Sequence, residues 1–236
     1  HYWDRFDFAD TLFTVRADTL QMVEAYARYI ALISDRPTDG APIDSLMRRA
    51  SSSRKMLDYF AMLAERVLHD PNSPLRNDEF YIPVLQAQLR APWYDEYERI
   101  APEYDLEMAM QNRLGHPAND FRYTLASGAS GTLYGLKAEY VLLFINNPGC
   151  NMCKTVREAI SASPMLNELI ERGKLKVLAL FPDEDLTEWQ EYRPQIPARW
   201  INAYDKGCVV RDRELYDLKA IPALYLLDRD KRVMVK

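Results

Sequence analysis

The stretch that decides the fold runs Glu139-Tyr140-Val141-Leu142-Leu143-Phe144-Ile145-Asn146-Asn147-Pro148-Gly149-Cys150-Asn151-Met152-Cys153. Its first part is an unbroken apolar run, the pattern of a strand buried on both faces of a sheet rather than on one. Asn146-Asn147-Pro148-Gly149 then supplies turn residues, and a helix is expected from about Asn151 to Gly173. Cys150 therefore stands where a buried strand turns into a helix. The N–H groups of a first helical turn lack partners and the helix dipole is positive there, so a thiolate is stabilised at that place. Cys153 follows one turn later on the same face, within reach of an intrahelical disulfide. Cys150 is thus expected to attack and to form a mixed disulfide, and Cys153 to resolve it.

Outward from this segment the chain alternates strand and helix. Phe121 to Leu125 and Thr132 to Tyr134 read as strands before it. After it come a strand over Lys176 to Phe181, a helical stretch from Asp183 to Tyr192, a strand over Ala223 to Leu227 and a final strand over Arg232 to Val235, reached through a turn at Asp228 to Lys231. A mixed sheet with helices on its faces follows. Ala220-Ile221-Pro222-Ala223 precedes one of these strands. Proline cannot donate to a ladder, so its place at a strand start suits a cis Ile221-Pro222 bond.

The region from Gly115-His116-Pro117-Ala118-Asn119-Asp120-Phe121 to Lys236 resembles the thioredoxin superfamily, and most closely the TlpA/ResA-like thiol:disulfide oxidoreductases of the periplasm. The resemblance rests on Gly-x-Pro-Ala-x-Asp-Phe at its start, strand-Cys150-x-x-Cys153-helix in its middle, and Ile221-Pro222 followed by Leu226-Leu227-Asp228. It covers about half the chain. It implies an α/β thioredoxin-like fold over 111–236, a chain that stops in a strand where that fold adds one more helix, and Pro222 packed beside the cysteine pair. It also implies that the backbone near Ile221 receives an extended substrate segment, with Gly149 and Pro222 at the same surface. The sequence departs from the pattern in two ways. Gly149 replaces the aromatic residue usual before the first cysteine, and Phe144 falls where thioredoxins keep a buried acid. Neither Lys154 nor Glu158 is clearly aimed at Cys153, so no proton acceptor is assigned.

Residues 1–110 read differently. Leu20, Val23, Ala27, Ile30 and Ile33 form one stripe at helical spacing, and Met56, Leu57, Phe60, Leu63 and Val67 form another. Breakers at Arg36 to Gly40 and Asp70 to Pro74 end them, and shorter helices around Tyr81 to Leu89 and Glu96 to Leu114 are expected, divided by Pro92 and Pro102. This is an all-α helical bundle, similar to a helical domain of unassigned function that precedes such modules in some secreted bacterial proteins.

Composition bounds the function. With 236 residues, a net charge of −5 and only three cysteines, the chain offers no broad basic surface for nucleic acid and too few cysteines for a stapled framework. No run of about 18 apolar residues is present. A chain beginning at His1 reads as a mature or trimmed product, leaving room for a preceding signal or membrane-tethering segment, and the cell envelope is the expected location. Zinc would need four ligands, and the three histidines lie far from the lone pair in sequence. The expected activity is thiol-disulfide exchange with protein dithiols or disulfides and a redox partner. It needs no cofactor beyond the Cys150–Cys153 disulfide.

Two other functions are weighed. One is a non-catalytic thioredoxin-like binding module acting with the helical domain. The other is a peroxiredoxin, which needs a threonine where Asn147 stands. Cys208 reads as a buried small residue, His69 and His116 as structural, and Trp189, Trp200 and Tyr204 as core aromatics or lining of the groove near the cysteines.

Overall fold

The computed structural model describes residues 2–236 and divides into two compact units, one reaching Met110 and the other Gln111–Lys236. The first unit is all helical. Its elements are α1 (Phe13–Arg16), α2 (Thr19–Ile33), α3 (Ala41–Ala50), α4 (Arg54–Ala64) with a π-helical continuation at Glu65–His69, α5 (Asp78–Arg90) and α6 (Glu96–Ala109). Local sequence explains most of the starts. Asp18, Ser53, Asn77 and Asp95 each cap a helix by accepting from first-turn N–H groups, and Asp95 with Glu98 forms a complete capping box. Packing converges on Tyr26, Ile43, Met47, Phe60 and Phe80, all inaccessible to solvent.

Several expectations for this unit change. The α2 stripe is rotated: Leu20 is 71% exposed, while Tyr26, Tyr29 and Ile30 are buried, because the aromatic rings offer more apolar area to the core. The Arg36 to Gly40 breaker is followed at once by α3, since Pro42 sits in a first turn, where its missing N–H costs nothing. Pro102 lies inside α6 rather than between helices, and Pro83 is likewise carried inside α5. Both are buried, so tertiary packing offsets the hydrogen bond each removes.

The second unit is built on β1 (Arg122–Leu125), β2 (Ser130–Thr132), β3 (Tyr140–Ile145), α7 (Asn151–Ala162), α8 (Pro164–Glu171), β4 (Leu175–Phe181), α9 (Leu186–Tyr192), a 3₁₀ turn Arg193–Gln195, β5 (Ile201–Tyr204), α10 (Val209–Asp212), β6 (Ala223–Leu227) and β7 (Val233–Val235). The strands form one mixed sheet in the order β2-β1-β5-β4-β3-β6-β7. β3, β4 and β5 are parallel, and β1, β6 and β7 run antiparallel to their inner neighbours.

β3 is central, and its side chains alternate between two cores. Val141, Leu143 and Ile145 join one cluster with Leu178, Leu180 and Tyr216, whereas Phe144 joins a second with Val177, Ala179 and Trp200. That double burial is why the strand carries no polar alternation. The single helix expected over Asn151 to Gly173 is two, because Ser163 caps a new start at Pro164 and accepts from Leu166 N. β2 spans Ser130–Thr132, and Leu133-Tyr134-Gly135 turns instead of extending. β5 is only four residues long, too short for its alternation to announce it; it is held by its pairing with β4 and β1.

Candidate functional site

β3 ends at Ile145, and the chain crosses a loop clamped at three points. Asn146 donates through Nδ2 to the Phe144 and Leu180 carbonyls at 3.1 and 3.4 Å, Asn147 Nδ2 donates to Asp183 Oδ2 at 2.6 Å, and Arg211 holds Asp183 Oδ1 at 2.7 Å. These ties reach the loop from the end of β4 and from α10. Gly149 follows with φ +72°, in the left-handed region where a side chain is strained, although open space surrounds the place its Cβ would occupy.

Cys150 is the N-cap residue of α7, and its sulfur accepts from Cys153 N at 3.0 Å. The two cysteines are joined as a disulfide, with Cα atoms 5.2 Å apart. Cys150 is half-buried, whereas Cys153 has no exposed surface. Around Cys153 lie Phe144, Ile160, Tyr192, Ile196 and Trp200, with Trp200 edge-on to Phe144 at 6.0 Å. Of the two cysteines, only the first therefore has surface in contact with solvent.

A distant segment completes the site. The Ile221-Pro222 bond is cis, and the Ile221 carbonyl oxygen lies 3.5 Å from Cys150 Sγ. Ile221 and Pro222 are half-exposed, and Gly149 is open to solvent, so the five residues Gly149, Cys150, Cys153, Ile221 and Pro222 meet at the carboxyl end of β3. Such an end, with a helix start and a backbone edge, can hold a sulfur anion beside an extended chain.

Other candidates fall elsewhere. Trp200 packs in the Cys153 cluster, while the Trp189 and Tyr204 rings meet at a tilt with centroids 4.8 Å apart and Trp189 Nε1 donates to Asn202 Oδ1. Cys208 is buried, and burial pushes its thiol up from the ordinary range. With Asp183, Tyr204, Asp205 and Arg211 it lines a separate cavity of about 240 Å³. His69 stacks on Tyr81 at 4.6 Å, and His116 closes a turn through its backbone. No group of three or more His, Cys, Asp or Glu suited to a metal ion occurs among the described residues. No helix among them is long and apolar enough to cross a membrane. Asp183 and Arg211 support the site without any motif to mark them; only their placement in three dimensions identifies them.

A thioredoxin-like protein from Bacteroides caccae is 42% identical to this chain over all of its length and 85% of its own, with a TM-score of 0.92. The chain belongs to the thioredoxin-like proteins. The C-terminal domain of an uncharacterized protein from Bacteroides fragilis is 53% identical, covering 53% of this chain and 89% of its own, with a TM-score of 0.52. A conserved protein of unknown function from Bacteroides fragilis is 38% identical, over 52% of this chain and 90% of its own, with a TM-score of 0.51. Residues 1–112 of this thioredoxin-like chain match a family described as a domain of unknown function (DUF5106). No curated protein matches the chain.

Proposed function

We propose that residues 111–236 form a thiol-disulfide oxidoreductase domain of TlpA/ResA-like type. It exchanges disulfides with proteins of the cell envelope through Cys150 and Cys153, behind a helical domain over 1–110. The observation that carries this reading is the asymmetry of the pair. Cys150 is half-exposed at a helix start beside Ile221, and Cys153 is enclosed one turn behind it. Nucleophilic attack needs a thiolate that a substrate can reach, and resolution needs a second sulfur that it cannot.

In the reducing direction, Cys150 as a thiolate attacks one sulfur of a substrate disulfide. A Cys150–substrate bond forms, the substrate S–S bond breaks, and the electron pair leaves on the second substrate sulfur. Cys153, after giving its proton to solvent, attacks Cys150 Sγ. The intramolecular disulfide closes, the remaining substrate sulfur departs as a thiolate, and the substrate is reduced as the domain is oxidised. The Cys153 N–H aimed at Cys150 Sγ stabilises the first anion. Ile221 N–H has no backbone partner among the described residues, so an extended substrate segment pairs there as an added strand. Gly149 leaves that approach open. The partners are protein dithiols or disulfides and a second redox protein, with tethering to a membrane through a segment outside this chain.

Reduction of insulin disulfides by the pre-reduced full chain tests the proposal. Turnover is expected, and a folded, reduced protein that exchanges with no protein or small disulfide overturns it. A second reading, a non-catalytic binding module, draws on Phe144, an apolar residue where an acid would serve Cys153. Partner capture unchanged in a Cys150→Ser, Cys153→Ser double variant would favour it.

A further inference from the structure

Arg157 lies on α7 one turn after Cys153, on the same buried face, and is only 7% exposed. Its Nη1 donates to Tyr192 Oη at 2.9 Å and to Gln195 Oε1 at 3.3 Å, and its guanidinium stacks over the Tyr192 ring at 5.4 Å. These partners are all neutral. No carboxylate pairs with Arg157 among the described residues, although buried guanidinium groups are ordinarily paired with an acid. Every other charge near this cluster is dealt with otherwise. Lys154, Glu158, Glu188, Glu191, Arg193 and Lys219 are exposed, Arg199 pairs with Glu171, Arg172 with Glu168 and Lys174 with Glu139, and Lys176 alternates to the face of β4 opposite Leu175, Val177 and Ala179.

A permanent cation is therefore held at the margin of an apolar cluster that supplies no anion while the disulfide is closed. Reduction changes this. The cluster then gains one group able to carry negative charge, the Cys153 sulfur, enclosed by Phe144, Ile196 and Trp200. Helical side chains at i and i+4 are neighbours, and long ones lean toward the helix N-terminus, which brings the Arg157 stem over the Cys153 turn. Attraction between opposite charges is strong where water is excluded.

We infer that Arg157 is the electrostatic positioning residue of the resolving step: it stabilises the Cys153 thiolate in the reduced domain, in place of an acid that would remove the proton. Arg157 takes no proton itself, since guanidinium stays protonated; the Cys153 proton leaves to solvent past Cys150. The inference rests on the proposed exchange activity, but its test does not require turnover.

The test is the pH dependence of Cys153 alkylation in a Cys150→Ser background, with folding checked by circular dichroism. Arg157→Gln keeps hydrogen-bonding ability without charge and is expected to lower the Cys153 thiolate fraction near neutral pH at least about tenfold. Arg157→Lys, which keeps the charge, stays close to the parent. Tyr192→Phe removes the hydroxyl that holds the guanidinium in place, shifts the profile in the same direction as Gln by a smaller amount, and serves if the Gln variant does not fold. In chains with both cysteines, Arg157→Gln moves the couple toward more reducing potentials, because the reduced form loses stabilisation; each tenfold change corresponds to about 30 mV. Equal profiles for the parent, Gln and Phe variants, with thermal stability alone affected, assign Arg157 to bracing and overturn the inference. Failure of insulin reduction with the titration shift intact would count against the exchange activity and leave the role of Arg157 standing.

Discussion

Cys150 Sγ lies 3.5 Å from the carbonyl oxygen of Ile221, a residue 71 positions away in sequence. The same sulfur accepts from Cys153 N at 3.0 Å. A reduced Cys150 thus faces a donor that favours its anion and a carbonyl that can accept its proton when it is a thiol. A sulfur at such a junction is poised between two states, and the backbone that carries the carbonyl is also the edge offered to a substrate.

The first prediction separates the two sulfurs. Cys150→Ser is expected to abolish insulin-disulfide reduction, since Cys153 is enclosed and cannot meet a protein substrate. Cys153→Ser is expected to accumulate a mixed disulfide on Cys150, visible as a mass increase that dithiothreitol reverses. Retained turnover in the Cys150 variant would reverse the assignment of roles.

Gly149 yields the second prediction. Its φ of +72° lies in the left-handed region, while nothing approaches within 4 Å of where its Cβ would stand. The penalty of a side chain is therefore conformational alone. Gly149→Ala is expected to cost roughly 1–2 kcal/mol in urea unfolding of the oxidised chain. No change in midpoint would mean that the turn relaxes.

These positions were not equally legible in the sequence. β3 and the cysteine helix stand out because double burial makes an unbroken apolar run, and because turn residues separate that run from Cys150. β5, Ile201-Asn202-Ala203-Tyr204, is different: it is short, holds an Asn whose side chain accepts from Trp189, and exists through its neighbours. Likewise Pro42 and Pro164 open helices, and Pro83 and Pro102 are carried inside them, so a proline alone does not mark a helix boundary, as the expected break at Pro102 shows. The three-point clamp of Asn146, Asn147 and Asp183 with Arg211 joins positions far apart in sequence, and no spacing announces it.

Phe144 supplies the third prediction. It is fully buried and meets Trp200 edge-on at 6.0 Å, at the position where a thioredoxin would carry an acid. Phe144→Ala leaves a cavity beside Cys153 and is expected to lower stability by about 3–5 kcal/mol in urea unfolding. A cost near zero would mean that the cluster collapses to fill the space.

Asp205 carries the last prediction. Its carboxyl is 1% exposed, with Oδ2 accepting from Val210 N at 2.6 Å and Oδ1 buried without a partner among the described residues. Burial raises its pKa above the ordinary 3.8, outweighing the Val210 and Val209 N–H groups that favour the anion. Arg211 is nearby but is engaged with Asp183 and Asp212. The sign follows from linkage. Between the unfolded value and the higher folded one, the native state holds a proton that the unfolded chain has released. Stability at this site therefore falls as pH rises through that window and stays lower above it. Asp205→Asn keeps an oxygen for Val210 N–H and removes the titration. The stability difference between the Asn variant and the native chain is expected to move in favour of Asn as pH increases from about 4 toward neutrality, read from urea midpoints across that range. A difference independent of pH would show that the Asp205 carboxyl titrates alike in both states, which would require its unpaired oxygen to be hydrated.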